Sequence, residues 1–203
     1  MSDVGATGMS GSVLGARSRH TQVVGIGELV VTDEPDAVIT THALGSCVAV
    51  CIWDPVSRVG GLLHYLLPDA KVNPERARVQ PASFADSGIP LLFRSAYAKG
   101  LDKSRSKVCL VGGAETSVMS AGSLNVGKRN VLAARNLLWR NGVMIHGEAT
   151  GGRDPRTVAI ANGSAAAAGQ GFAAGAQIID YDFSSALVAV RGDVWAVPDA
   201  APQ

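Results

Sequence analysis

A single layered α/β domain is what this sequence predicts, and three observations predict it. Short Val, Ile and Leu runs of strand length recur along the chain, two amphipathic helical patterns are interleaved with them, and the 203 residues suit one domain with tails better than two. Apolar residues make up 47% and charged residues 17%, enough core material to fold alone and too much for a disordered chain. Four Phe, three Tyr and three Trp against 24 Gly point to a core of small aliphatic side chains joined by tight turns.

Residues 1–20 mix Gly, Ser and Ala without hydrophobic period and predict a disordered N-terminal tail; residues 21–198 form the domain, and 199–203 a short C-terminal tail. The first strand is expected over Val23 to Val31 despite Gly25 and Gly27, and a second over Ala37 to Ile39 after the turn-prone Asp33-Glu34-Pro35-Asp36. Val48 to Trp53 and Val59 to Leu67 flank Asp54-Pro55-Val56-Ser57, a turn with Pro at its second position, and so predict a hairpin. Leu92, Phe93, Ala96 and Tyr97 give helical spacing over Ser87 to Lys99, with Pro90 near the start and Gly100 past the end. A strand over Lys107 to Val111 ends in Gly112-Gly113. A helix from Gly127 to Arg140 runs through Val131, Ala134, Leu137 and Leu138 and stops at Asn141-Gly142. Val143 to Glu148 reads as a strand, 161–175 as an Ala/Gly-rich flexible loop, and Gln177 to Asp182 with Ala186 to Val190 as a terminal strand pair.

Composition also excludes functions. Eighteen Lys and Arg against 17 Asp and Glu leave a net charge of +1 and no basic run, which does not suit a nucleic-acid or anionic-membrane binder. No apolar stretch approaches the ~20 residues a bilayer crossing needs, and Met1 to His20 lacks the basic and apolar regions of a secretory signal, so a cytoplasmic location is expected. Cys47, Cys51 and Cys109 are odd in number with no CxxC, which argues for free thiols, no metal site and no disulfide framework.

One of these thiols meets an imidazole through hairpin geometry. If the loop is the four residues Asp54 to Ser57, Trp53 faces Arg58 and Cys47 lies directly opposite His64, with Cβ atoms ~4.5 to 5.5 Å apart on one face. A five-residue loop or a bulge would instead bring Tyr65, on the other face, opposite Cys47. A Cys whose proton passes to a neighbouring imidazole forms a thiolate–imidazolium pair, the nucleophile of acyl transfer, and the tight Leu44-Gly45-Ser46 segment before it frees backbone N–H groups for an oxyanion. Cys51 and Cys109 read as packing residues. A Cys47–Cys51 redox pair is disfavoured, because residues four apart in a strand are ~13 Å apart. His20 and His146 read as structural or solvated, His42 as a residue that a loop could swing towards the site, and Gly112-Gly113 as a turn rather than a phosphate cradle.

Leu44-Gly45-Ser46-Cys47-Val48-Ala49-Val50-Cys51, Asp54-Pro55, Gly60-Gly61-Leu62-Leu63-His64 and Leu67-Pro68 together resemble the signature of the CheD family, bacterial chemoreceptor glutamine deamidases. Gly112-Gly113-Ala114, Asn125-Val126-Gly127, Arg129-Asn130 and Thr150-Gly151-Gly152 continue the likeness, which spans Val23 to Ile160. The resemblance implies a catalytic triad of Cys47, His64 and a threonine six residues before the cysteine, Thr41, with Thr40 its neighbouring alternative. It also implies a layered α/β sandwich with a mixed or antiparallel sheet, similar to the catalytic domains of cytotoxic necrotizing factors. The implied reaction is cofactor-free hydrolysis of glutamine side chains on methyl-accepting chemoreceptor cytoplasmic helices to glutamate, with release of ammonia. The family also resembles adaptors that bind a CheC-type chemotaxis phosphatase, so a binding role is the alternative. The Gly/Ser tail and the Ala/Gly loop with its extra strand pair depart from the compact family pattern.

Overall fold

The computed structural model describes residues 20–35, 37–115, 125–161, 175–181 and 188–193, with side chains through Ile160. The expected N-terminal and C-terminal tails, and nearly all of the expected loop 161–175, lie outside the described residues.

Among the described residues two five-stranded mixed sheets stack, and helices cover the second. The strands are β1 (Thr21–Val23), β2 (Glu28–Thr32), β3 (Val38–Leu44), β4 (Val48–Asp54), β5 (Val59–Tyr65), β6 (Lys107–Gly112), β7 (Gly147–Thr150), β8 (Arg156–Ala161), β9 (Gly175–Tyr181) and β10 (Val188–Asp193). The first sheet has the order β1-β3-β8-β9-β10 and the second β2-β5-β4-β6-β7. The described residues form three α-helices, α1 (Pro74–Val79) and α2 (Ala85–Ala98) after β5 and α3 (Val126–Arg140) after β6. The single-domain mixed α/β architecture is the expected one.

Strand alternation sorts the side chains of the second sheet into two cores. Val48, Val50, Ile52, Leu63 and Tyr65 point one way, against Ile89, Leu92 and Ala96 of α2 and Val131, Ala134 and Leu138 of α3. Cys47, Ala49, Cys51, Leu62, Cys109 and Val111 point the other way, against Ile39, Leu44, Val158 and Ile160 of the first sheet. β4 and β5 are therefore buried on both faces, which is why they read as continuous apolar runs.

Several boundaries differ from expectation. The run Val23 to Val31 is not one strand but β1 and β2 in different sheets; Gly27, at φ +76, turns the chain between them. β3 continues five residues past the expected Ile39 to Leu44, because the hydroxyls of Thr40 and Thr41 satisfy themselves inside the core and let a polar pair run on as strand. α2 starts two residues before the expected Ser87 and accommodates Pro90 within its second turn. β7 starts only at Gly147, where the chain begins its parallel pairing with Cys109 of β6. The expected C-terminal strand pair is present as antiparallel β9 and β10.

One buried charge holds the far end of the hairpin. The Asp54 carboxylate is fully buried and accepts from Arg105 Nε at 2.9 Å and from the amides of Asp102 and Val56, each at 2.9 Å. Burial opposes ionisation, but the Arg105 guanidinium and these amides outweigh it and hold the carboxyl well below the usual carboxylate range. Asp54→Asn is expected to cost about 2 kcal/mol, less than a fully buried pair because Arg105 is half-exposed. Because the folded carboxyl is the stronger acid, its stabilisation is complete above the unfolded value near 3.8 and fades as the pH falls below it. Urea midpoints at pH 6 and pH 3 check this: the gap between wild type and variant narrows at the lower pH.

Candidate active site

The hairpin brings Cys47 and His64 to one face, but in a different register from the expected one. The turn is Pro55 to Arg58, so Asp54 pairs with Val59, Trp53 with Gly60 and His64 with Ala49. The loop begins one residue later than expected because Asp54 is anchored at the strand end and Arg58 takes the left-handed conformation, φ +54, that closes a four-residue loop. Sliding the loop by one residue moves the pairing by two, an even step that keeps every side chain on its face. Cys47 is thus not directly opposite His64. It lies one pleat beyond Ala49, the diagonal neighbour of His64, at a backbone spacing of roughly 7–8 Å that side chains can bridge.

His64 is buried at 2% exposure and held by β3 of the other sheet. Its Nδ1 lies 2.8 Å from the Thr41 hydroxyl, which itself lies 2.7 Å from the Val24 carbonyl oxygen. The hydroxyl has one proton, and the carbonyl can only accept it; Thr41 therefore accepts from Nδ1–H. That network assigns the tautomer with a bare Nε2. Nε2 is buried and has no hydrogen-bond partner among the described residues. Thr40 donates instead to the Val158 carbonyl at 3.1 Å, which separates the two threonines: only Thr41 touches the imidazole.

The segment carrying Cys47 is pinned by its carbonyls. Ala114 N–H donates to Gly45 at 2.7 Å, Asn130 Nδ2 to Ser46 at 2.9 Å, and Gly113 N–H to Cys47 at 2.7 Å. Gly112 adopts φ +109 directly under this segment, where a Cβ would collide with the Cys47 carbonyl oxygen; the Gly pair is more than a turn. Neither the Ser46 nor the Cys47 amide donates to a backbone carbonyl among the described residues; the Cys47 amide faces its own thiol. Cys47 is 8% exposed.

Burial raises the Cys47 thiol pKa, against the opposing pull of its own amide, and lowers that of His64 to about 4. Both directions favour a neutral thiol and a neutral imidazole at rest, so the thiolate–imidazolium pair of the sequence argument forms only when the thiol proton is transferred. The reason is that desolvation penalises both charged forms at once.

The other candidates lie apart from this site. His42 is exposed, its neighbour Thr41 pointing inward. His20 is an exposed residue 3.6 Å from Glu34, and His146 accepts from the Val108 amide at 3.3 Å. Cys51 and Cys109 face each other across β4 and β6, sealed in the inter-sheet core as the packing reading expects. Among the described residues no three His, Cys, Asp or Glu side chains gather as a metal site would require. Sequence reasoning gave no individual role to Asn130, whose signal was a lone amide in the apolar stripe of α3 beside Val131 and Ala134. It is fully buried, and its Nδ2 donates to Leu66 O at 2.8 Å as well as to Ser46 O.

Comparison with known proteins adds the family. A family profile described as CheD chemotactic sensory transduction matches residues 66–167. A probable chemoreceptor glutamine deamidase CheD 2 of Anaeromyxobacter dehalogenans is 46% identical over 137 residues, which cover 68% of this chain and 86% of that protein. The corresponding CheD 1 of Syntrophus aciditrophicus is 41% identical over 138 residues, again 68% and 86%. The chain belongs to the CheD family. A probable chemoreceptor glutamine deamidase CheD of Pyrococcus abyssi is 39% identical over 136 residues, covering 66% of this chain and 82% of its own. Cys47, Thr41 and His64 all precede the segment matched by the CheD profile, while Gly112, Gly113 and Asn130, which pin the Cys47 segment, lie within it.

Proposed function

We propose that this CheD chain is a cysteine-dependent deamidase that converts glutamine side chains on the cytoplasmic helices of methyl-accepting chemoreceptors to glutamate. The observation that carries the reading is the His64 ring, fixed through Nδ1 by Thr41 with its bare Nε2 buried on the face that Cys47 shares. The names borne by the relatives supply the substrate class.

Cys47 Sγ attacks the carboxamide carbon while Nε2 takes the thiol proton in the same step, since the pair is neutral at rest. The amides of Ser46 and Cys47, which donate to no carbonyl among the described residues, donate to the oxyanion. The imidazolium returns its proton to the departing nitrogen, ammonia leaves, and a thioester remains. Water, deprotonated by the same nitrogen, hydrolyses the thioester to a carboxylate and restores the thiol. No step calls for a metal or an organic cofactor. A neutral side chain on the receptor becomes a negative, methylatable one.

The direct test incubates the protein with receptor cytoplasmic fragments and follows ammonia release, with mass spectrometry that distinguishes glutamine from glutamate. Glutamate at defined positions is the expected result; receptors left unmodified by the wild-type protein while it is folded overturn the reading. Thr41→Val is expected to lower kcat about fivefold with little change in KM, the loss of one ring-orienting hydrogen bond of ~1 kcal/mol. It also orphans the Val24 carbonyl, so the melting temperature falls with it; steady-state kinetics and thermal unfolding measure the two effects separately.

A further inference from the structure

We infer that Asn130 is a positioning residue for this chemistry: one carboxamide on α3 ties the backbone before Cys47 to the backbone after His64 and aims the Cys47 amide at the reacting oxygen. The inference rests on the proposed acyl transfer at Cys47 and extends it to a residue outside the triad.

The β4–β5 ladder ends at the pair Val48–Tyr65. Cys47 lies just beyond that last rung, so strand pairing does not fix its place relative to His64. The two protons of Asn130 Nδ2 replace the missing rung, one going to Ser46 O at 2.9 Å and the other to Leu66 O at 2.8 Å. Two carbonyls at these distances can be met only by the nitrogen, so the amide orientation follows from its partners. The Tyr65 hydroxyl donates to the Asn130 main-chain carbonyl at 2.7 Å and locks this point of α3 to β5.

The consequence for chemistry follows from peptide geometry. Ser46 C=O and Cys47 N–H belong to one planar trans unit and point in opposite directions. Holding the carbonyl on Asn130 therefore turns the Cys47 N–H away from α3, and Ala114 does the same for the Ser46 N–H by holding Gly45 O. Neither of these two amides donates to a carbonyl among the described residues, so both are left for a reacting oxygen beside the sulfur. Packing alone does not explain the residue: Asn130 Oδ1 is buried with no partner among the described residues, a penalty that an apolar side chain of similar size would not carry.

Acylation by p-nitrophenyl acetate tests this without any receptor, because the Cys47 sulfur bonds to the acetyl carbon, the ester C–O bond breaks, and the thiol proton leaves with nitrophenol through His64. Relative to wild type, and with Cys47→Ala as background, Asn130→Ala is expected to slow acylation by ~10²-fold, the scale of a misplacement near 1 Å. On a modified receptor the loss should fall in kcat rather than KM. Asn130→Asp places an acceptor against two carbonyls; it should be at least as slow at neutral pH and recover as the solution is acidified and the acid regains a proton to donate, which Asn130→Ala does not do. Leu138→Ala, a buried change two turns along the same helix, lowers stability without touching the segment and should acylate at the wild-type rate while folded. Asn130 variants that acylate at the wild-type rate, or a loss in Leu138→Ala equal to that in Asn130→Ala, overturn the inference. A wild-type protein that acylates in an Asn130-dependent manner yet leaves receptor glutamines intact overturns the proposed substrate and leaves the positioning role standing.

Discussion

Cys47→Ala is expected to remove ammonia release from receptor fragments, by ~10⁴-fold or more, and to leave binding of those fragments intact. The two halves of that expectation have different causes. Catalysis goes because neither of the other two cysteines can replace it: Cys51 and Cys109 are fully buried deeper in the inter-sheet core. Binding stays because the shape of the segment does not depend on sulfur; the carbonyls of Gly45, Ser46 and Cys47 are all held from outside by Ala114, Asn130 and Gly113. Cys47→Ser should fare little better in turnover, since a hydroxyl is a far weaker acid and nucleophile than a thiol. Ammonia assays and calorimetric binding on the same preparations decide it. Residual deamidation in Cys47→Ala would place the nucleophile elsewhere, whereas Cys51→Ala or Cys109→Ala should lose stability and keep turnover.

What the sequence made legible follows from which signals are local. The face shared by Cys47 and His64 was readable because alternation survives any even error in register; the register itself was not, because it depended on Asp54 being drawn into the strand end by Arg105, fifty-one residues away. α2 and α3 were legible from their apolar stripes, while α1, six residues long and without a buried residue, carries no apolar stripe to be read and was missed. The split of Val23 to Val31 between two sheets was hidden because both halves are apolar and only the turn at Gly27 separates them. The threonine pair could not be resolved from sequence, since Thr40 and Thr41 are both buried and differ only in which distant carbonyl or ring they meet. Asn130 entered the sequence reading only within the Arg129-Asn130 motif, because its partners, Ser46 and Leu66, are 84 and 64 positions away.

His64→Gln is expected to slow deamidation by ~10³- to 10⁴-fold, and the wild-type pH profile should show why. An exposed histidine near 6.5 would shut the reaction down as the pH fell below neutral. Here burial lowers the imidazole to about 4, and protonation would put a second N–H at Nε2, where no described residue can accept it. The working form of the base therefore persists, and kcat/KM should stay level down to about pH 5 before falling with a midpoint near 4. The same shift acts on stability. The unfolded chain takes up a proton at 6.5 while the folded one resists until about 4, so the contribution of His64 is complete above pH 6.5 and is lost progressively between 6.5 and about 4, by up to about 3 kcal/mol. Urea midpoints across that window separate unfolding from inactivation: His64→Gln should not show this part of the decline. A wild-type acid limb centred near 6.5 instead would mean that the ring is solvated and free to titrate, which the hydrogen bond to Thr41 and a bare, enclosed Nε2 do not allow.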